Sequence, residues 1–169
     1  MTTRLKRAIP LIILSFTVYI VFTGSVRLYD IVTGILVAIA IGLITANLVV
    51  ENPLKALDPK RLGWLIAYAF RYFFVSEVQA HLDVIKRALD PRMPINPGIV
   101  RVPYGVESEY GEALVACSIT NTPGTVVVDV NRDKRIFYVH WIDVKTLELE
   151  KAREMISLVF EKYAKKIFD

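Results

Sequence analysis

A run of 20 residues without a single charged side chain, residues 31–50, constrains this chain more than any other feature. A helix of about 20 apolar residues is long enough to cross the hydrocarbon core of a bilayer. A second apolar run precedes it at residues 8–22 and can be extended to residue 26. The two runs predict a pair of transmembrane helices, so the first third of the chain is expected to be a membrane anchor.

The distribution of charge predicts how this anchor is oriented. Residues 1–61 hold seven Lys or Arg and three acids, whereas residues 62–169 hold fourteen of each. Basic residues accumulate in cytoplasmic segments, and here they precede the first run and follow the second. We therefore predict a multi-pass protein of the cell (plasma) membrane, with the N-terminus and the C-terminal domain in the cytoplasm. The alternative for the first run is a signal peptide cleaved near Thr23-Gly24-Ser25. The balanced charge of the later residues argues against a nucleic-acid partner.

Small residues recur at four-residue steps in the second run, at Gly34, Ala38, Gly42 and Ala46. Such a stripe lets another helix approach closely. It predicts a packing face, either inside a helix hairpin or against a partner subunit. The alternative is chance placement in a span rich in Gly and Ala.

A third helix is predicted at residues 62–89, apolar and aromatic up to residue 75 and amphipathic after it. Arg71 and Glu77 are its ionisable residues at membrane depth, and six residues place them about 240° apart on a helix. Glu77 with His81, and Asp83 with Arg87, are predicted pairs four residues apart. If this helix crossed the membrane, four later bases would lie outside, and Arg71 would cost about 2.5 kcal/mol or more at the centre of a span. The sequence favours an interfacial helix over a third membrane helix.

The chain is thus predicted to begin with a transmembrane helix hairpin at 1–61. After the third helix, residues 90–98 predict a proline-rich linker. Residues 99–169 predict a small cytoplasmic α+β domain. About three strands (99–102, 125–130 and 135–144) and two helices (108–119 and 147–168) are expected. Ser108 is the predicted N-cap of the first of these helices. Alternation places Val126, Val128 and Val130 on one face of the second strand. The third strand is apolar on both faces, which predicts a central strand covered on both sides.

No pattern for catalysis or cofactor binding is found. The chain lacks a phosphate-binding glycine loop, and one cysteine with two histidines cannot form a Cys- or His-rich metal site. Ser118, His140 and Asp143 lack the pattern of a catalytic triad, so His140 is interpreted as a structural histidine with its hydrogen bonds satisfied. Cys117 is interpreted as a small buried residue. We predict no catalytic residue, metal or cofactor, and no ion path through two spans that lack charge.

Four segments together resemble the E subunit of Mrp-type multisubunit cation/proton antiporters: residues 76–84, 97–100, 118–125 and 138–144. The most specific part is Ser-Ile-Thr-x-Thr-Pro-Gly-Thr followed by Val-His-x-Ile-Asp. The chain departs from the family pattern at His81 and Asn121. The resemblance marks the following as family-motif residues with a structural role: Ser118, Ile119, Thr120, Thr122, Pro123, Gly124, Thr125, His140 and Asp143.

The resemblance implies a non-catalytic structural subunit whose partners are other antiporter-type membrane subunits and the lipid bilayer. It implies either a stand-alone Na+/H+ antiporter or an archaeal respiratory complex, such as a membrane-bound hydrogenase or a sulfane reductase. The alternative is an independent membrane-tethered module whose cytoplasmic domain binds a ligand.

Overall fold

The computed structural model describes residues 2–49, 55 and 57–169, which divide into two compact units at residues 59 and 60. The first unit is a hairpin of α1 (Thr2–Thr23) and α2 (Leu28–Val49). Both helices are long and apolar enough to cross a membrane, over Leu5–Thr23 and Leu28–Leu48. α1 begins before the apolar run, so Pro10 lies inside it and not in its first turn. Asn52-Pro53 is a turn-forming pair, and the turn that it predicts after the second span lies outside the described residues.

The second unit begins with the predicted third helix, which is continuous but not uniform. It consists of α3 (Pro59–Arg71), one π-helical turn (Tyr72–Ser76) and α4 (Glu77–Leu89). Pro59 occupies the first helical position, where its missing N–H costs nothing. Tyr68 and Tyr72 are buried in the hydrophobic core of the second unit. The third helix is therefore part of this unit's fold.

A three-stranded antiparallel sheet follows, in the order β1-β3-β2. Its strands are β1 (Gly98–Pro103), β2 (Thr125–Asn131) and β3 (Ile136–Trp141). Helix α5 (Glu109–Asn121) begins at the predicted N-cap, because the Ser108 hydroxyl accepts a hydrogen bond from the Gly111 N–H. The predicted fold class, two apolar N-terminal helices followed by a small α+β domain, is confirmed.

The prediction that β3 is covered on both sides is wrong. Phe137 and Val139 are fully buried on one face, whereas His140 on the other face is exposed. The outer face also carries Ile99 and Val126, which pair with His140 and are exposed. Apolar residues on both faces give the strand a high β propensity. The rest of the domain packs against only one of these two faces.

The face predicted for β2 is also wrong at one residue. Val126 and Val128 are exposed, but Val130 packs against the core. A β-bulge between Val127 and Asp129 shifts the register. The Asp129 carboxylate accepts a hydrogen bond from the Val130 N–H, so the local backbone is diverted from the regular ladder.

The predicted C-terminal helix is divided into α6 (Leu149–Ile156) and α7 (Leu158–Phe168). Ser157 between them has φ −118° and is fully buried. Its hydroxyl is hydrogen-bonded to Glu161, also buried, and this polar pair inside the apolar face accounts for the bend. Helical spacing of the apolar residues in 147–168 predicts Met155 on the buried face of this helix, but Met155 is exposed.

Candidate functional site

The four small residues of α2 all face α1. Ala38 and Ala46 are buried, and a Cβ atom added to Gly34 would lie 2.7 Å from the Tyr19 ring. At Gly42 an added Cβ would lie 2.4 Å from Ile12 Cγ1, so the close approach requires glycine. Of the two roles predicted for the stripe, the structure places it inside the hairpin.

The family-motif residues from Ser118 to Thr125 form the end of α5 and the turn that follows it. Ser118 donates a hydrogen bond to the Leu114 carbonyl at 2.5 Å, and Thr122 donates to the Ser118 carbonyl at 2.7 Å. Thr125 donates to the Ile119 carbonyl at 2.7 Å. These hydroxyls bind carbonyls near the end of the helix, including carbonyls that have no partner within the helix itself.

Pro123 and Gly124 complete the turn that leads into β2. The Thr125 N–H donates to the Thr122 carbonyl at 3.2 Å, which closes a β-turn with Pro123 and Gly124 at its centre. Gly124 has φ +95°, a value that disfavours other residues. Thr120 accepts a hydrogen bond from the Val127 N–H at 3.2 Å, and Ile119 is fully buried. These residues cap the C-terminal end of α5 and form the turn into β2, so their role is structural and local.

The third helix contacts this motif through a buried polar cluster. The Tyr68 hydroxyl is hydrogen-bonded to the Ser118 hydroxyl, and burial raises the pKa of Tyr68. One turn later, burial and the adjacent Glu77 carboxylate raise the pKa of Tyr72. Among the described residues, neither the Tyr72 hydroxyl nor Glu77 Oε1 has a hydrogen bond of normal geometry. The third helix thus places the Tyr68 hydroxyl against Ser118 and the buried Tyr72 hydroxyl beside Glu77.

Arg71 and Glu77 do not form a pair with each other in the structure. Arg71 donates to the Ser76 hydroxyl at 3.1 Å, and Glu77 lies 3.5 Å from the His81 ring, its predicted partner four residues later. The Glu77 side chain is only 17% exposed. Whether either residue lies at membrane depth stays a prediction.

Asp143, at the end of the motif, ties the third helix to the sheet. Its carboxylate binds Arg87 Nη1 at 2.7 Å and the Lys145 ammonium. Hydrogen bonding from Lys145 and Arg87 holds the pKa of Asp143 below its usual value. Arg87 also binds Asp83, as predicted, and the Pro94 carbonyl at 2.7 Å. The Arg87 guanidinium therefore binds both the linker before β1, at Pro94, and the Asp143 carboxylate.

His140 and Cys117 differ from their interpretation. Both side chains are exposed, His140 on the open face of the sheet and Cys117 on the outer side of α5. The buried face of α5 carries Val115, Ser118 and Ile119 instead. The Ser118, His140 and Asp143 side chains are thus not brought together as a triad.

A buried ion pair was not predicted from the sequence. Glu161 is 1% exposed and binds Arg153 through two hydrogen bonds of 2.8 and 3.0 Å. It also accepts hydrogen bonds from the Gly105 N–H and Ser157. The four-residue steps from Arg153 to Ser157 to Glu161 along the apolar face are the pattern that could have revealed it.

The segments that carry the most specific part of the family resemblance, residues 118–125 and 138–144, thus lie together in the second unit. A family model described as Na+/H+ ion antiporter subunit matches residues 12–167. The chain belongs to this family. The resemblance is confirmed by curated relatives that are named as the E subunits of Na+/H+ antiporters. The relative from Alkalihalophilus pseudofirmus is 40% identical over 85 residues, and the one from Bacillus subtilis is 34% identical over 92 residues.

The chain spans about half the length of these curated relatives, 54% and 57% of them, and the matches cover 50% and 54% of the chain itself. A solved structure is similar over a longer stretch. It is a chain of the membrane-bound sulfane sulfur reductase, an archaeal respiratory membrane complex. The likeness covers 96% of this chain and 99% of that one, at 35% identity and a TM-score of 0.85. The fold described above therefore also occurs in a chain of a respiratory membrane complex.

Within the described residues, no group of three or more His, Cys, Asp or Glu side chains is placed to hold a metal ion. The polar groups of the motif mainly bind backbone atoms and neighbouring side chains. The arrangement can stop a helix, fix a linker and hold the third helix against the sheet.

Proposed function

We propose that this chain is a non-catalytic supporting subunit of an Mrp-type cation/proton antiporter module, with its N-terminus and C-terminal domain in the cytoplasm. One observation carries the proposal: neither apolar run, at residues 8–22 or 31–50, contains a charged residue or a histidine. Ion translocation requires such groups at membrane depth. The motif residues Ser118, Thr120, Thr122, Thr125 and Asp143 make their hydrogen bonds and ion pairs within the domain, which supports an ion path in partner subunits.

We further propose that the module is part of a respiratory complex. The supporting observation is the extent of similarity, which covers 96% of the chain for the respiratory complex subunit and about half of it for the curated antiporter subunits. Purification of the tagged chain from its native membranes in mild detergent, followed by mass spectrometry, tests both proposals. Antiporter-like subunits together with iron–sulfur or hydrogenase-like subunits are expected. Antiporter-like subunits alone would indicate a stand-alone exchanger, and a stable monodisperse chain without partners would favour the independent binding module.

Assembly should depend on the packed hairpin. Ala38 is 1% exposed and faces α1, whereas Ala40 on the same helix is exposed. Ala38→Leu adds three carbon atoms to a closed contact, and overpacking of this kind typically costs about 1–3 kcal/mol. We expect several-fold less assembled complex on native gels for Ala38→Leu and an unchanged amount for Ala40→Leu. Equal yields from the two variants would contradict a role of the hairpin contact in assembly.

A further inference from the structure

The third helix exposes one continuous apolar stripe along its whole length. Apart from two adjacent phenylalanines, its members lie three or four residues apart, and all are between 49% and 78% exposed. We name them the helix stripe: Leu62, Ile66, Phe70, Phe73, Phe74, Val78, Leu82, Ile85 and Leu89. The opposite side of the same helix packs on the domain through Tyr68 and Tyr72. The helix is therefore apolar on two sides, and among the described residues only one of them is covered.

We propose that the helix stripe lies on the lipid bilayer, with the helix parallel to the membrane plane and the domain above it. The inference goes beyond the proposed function and requires only that the chain is membrane-anchored. A helix with such a face inserts its apolar side about 5–10 Å into the boundary between headgroups and acyl chains.

The length of the stripe favours a surface over a transmembrane helix of a partner. The third helix has 31 residues, 13 in α3, 5 in the π-turn and 13 in α4, which corresponds to a length of about 46 Å. The hydrocarbon core is only about 30 Å thick, so a membrane-spanning partner helix could not follow the full stripe. A spanning orientation of the third helix itself would place the domain that covers Tyr68 and Tyr72 inside the membrane.

The position in the chain and the charges of the helix fit the same orientation. α3 begins at Pro59, only 11 residues after the candidate span that ends at Leu48, and even a fully extended chain of this length reaches at most about 36 Å. Glu77 is the only acid between residues 59 and 82, and its side chain is largely buried on the domain side. Lys60 and Lys86 are exposed near the two ends of the helix, where they can meet anionic headgroups.

The π-turn extends the stripe through the middle of the helix. It follows Arg71 and adds one residue to the turn, so the adjacent Phe73 and Phe74 are both exposed while Tyr72 remains buried. The Phe74 ring stacks on the Phe70 ring at 5.6 Å between centroids. Phe side chains are typical of the apolar face of a helix that lies in the membrane interface.

Spin labelling of the full chain in phospholipid vesicles tests the proposal. The exposed Cys117 is first replaced by Ala, and a nitroxide is then attached to Cys introduced at Phe73, Leu82 or Met155. Met155 is 58% exposed on α6 and serves as the control in water. Collision with a water-soluble nickel complex should be at least about five-fold weaker at residues 73 and 82 than at 155, as expected about 5–10 Å below the surface. Collision with oxygen should be stronger at these two positions.

Equal nickel accessibility at residues 73 and 155, or at 82 and 155, would overturn the proposal. In the purified complex, a label at residue 73 that neither nickel nor oxygen reaches would also overturn it, because another subunit would then cover the stripe. If the labels disturb folding, Phe73→benzoylphenylalanine keeps an aromatic ring at this position. Photo-crosslinks to lipid are expected for it, and crosslinks to another protein subunit would contradict the lipid assignment.

Discussion

In the hairpin, the small residues Ala8, Gly34, Ala38, Gly42 and Ala46 are buried and let the two helices approach closely, with the Tyr19 ring and Ile12 packed against the two glycines. Most other large apolar side chains of the hairpin are exposed. In the second unit large side chains such as Phe137, Ile119 and Val139 are fully buried, and the Glu161 carboxylate is buried as well. Lipid is as apolar as leucine, so membrane helices gain most from close backbone packing. Water favours the burial of large apolar side chains. A charge buried among them loses its hydration and therefore has to be paired and hydrogen-bonded.

The largest expected effect of a single substitution is at Glu161, which has no counterpart among the described residues of the hairpin. Glu161→Ala removes the carboxylate that binds Arg153, Ser157 and the Gly105 N–H. Removing one partner of a buried ion pair costs about 3–5 kcal/mol, since the other charge is left without compensation. Because Arg153 is itself partly exposed, we expect about 3 kcal/mol, measured by denaturant unfolding of the purified chain in detergent.

Glu154→Ala is the matched control for this substitution. Glu154 is an exposed glutamate on α6, and exposed positions change stability by about 0.5 kcal/mol or less. If Glu161→Ala were no more destabilising than Glu154→Ala, the ion pair would not support the domain. The helical signal of the hairpin should be the same in both variants, because neither residue belongs to it.

Low pH should destabilise the second unit more than the hairpin, because only the second unit contains buried, hydrogen-bonded carboxylates among the described residues. Burial alone would raise the pKa of Glu161, but hydrogen bonds from Arg153, Gly105 and Ser157 outweigh this and hold it below its usual value. Asp169 is similar, since hydrogen bonds from Glu107 and Ser108 outweigh burial and lower its pKa. A carboxylate whose pKa is lower in the folded state stabilises at neutral pH and loses this contribution as the pH falls.

We therefore expect the domain to lose stability progressively below about pH 4.5, the ordinary pKa of a glutamate. The spans Leu5–Thr23 and Leu28–Leu48 hold only Lys6, Arg7 and Asp30 as charged residues apart from Arg27 between them, so the hairpin should change little. Thermal unfolding between pH 3.5 and 7, followed by near-ultraviolet circular dichroism, measures the domain. In Glu161→Gln the slope with pH should be shallower, and an unchanged slope would show that another carboxylate is responsible.

The features that the sequence predicted well depend on neighbours a few residues apart. Ser108 caps α5 through Gly111, three residues later, and Thr122 to Thr125 form a turn whose Pro and Gly select its geometry. The hairpin follows from the length and lack of charge of its two runs. Local hydrogen bonds and the conformational preferences of single residues are sufficient to predict such elements from the sequence.

The features that the sequence did not predict depend on packing between distant elements. An apolar strand such as β3 does not reveal which face is covered, and the exposed His140 shows that only one face is. The bulge at Asp129 and the bend at Ser157 arise from side-chain hydrogen bonds that disturb regular periodicity. Within the candidate site, the motif was recognised, but its contact with Tyr68 joins residues 50 positions apart.

The smallest expected effect concerns the open face of the sheet. His140→Ala should change the free energy of unfolding by about 0.5 kcal/mol or less, because the exposed ring fills no cavity. Val139→Ala, the neighbouring substitution on the buried face, should cost about 2 kcal/mol through lost burial and the cavity left behind. Both are measured by the same denaturant unfolding. A loss above about 1 kcal/mol for His140→Ala would mean that the outer face contributes to folding as the core does, because surface substitutions rarely cost so much.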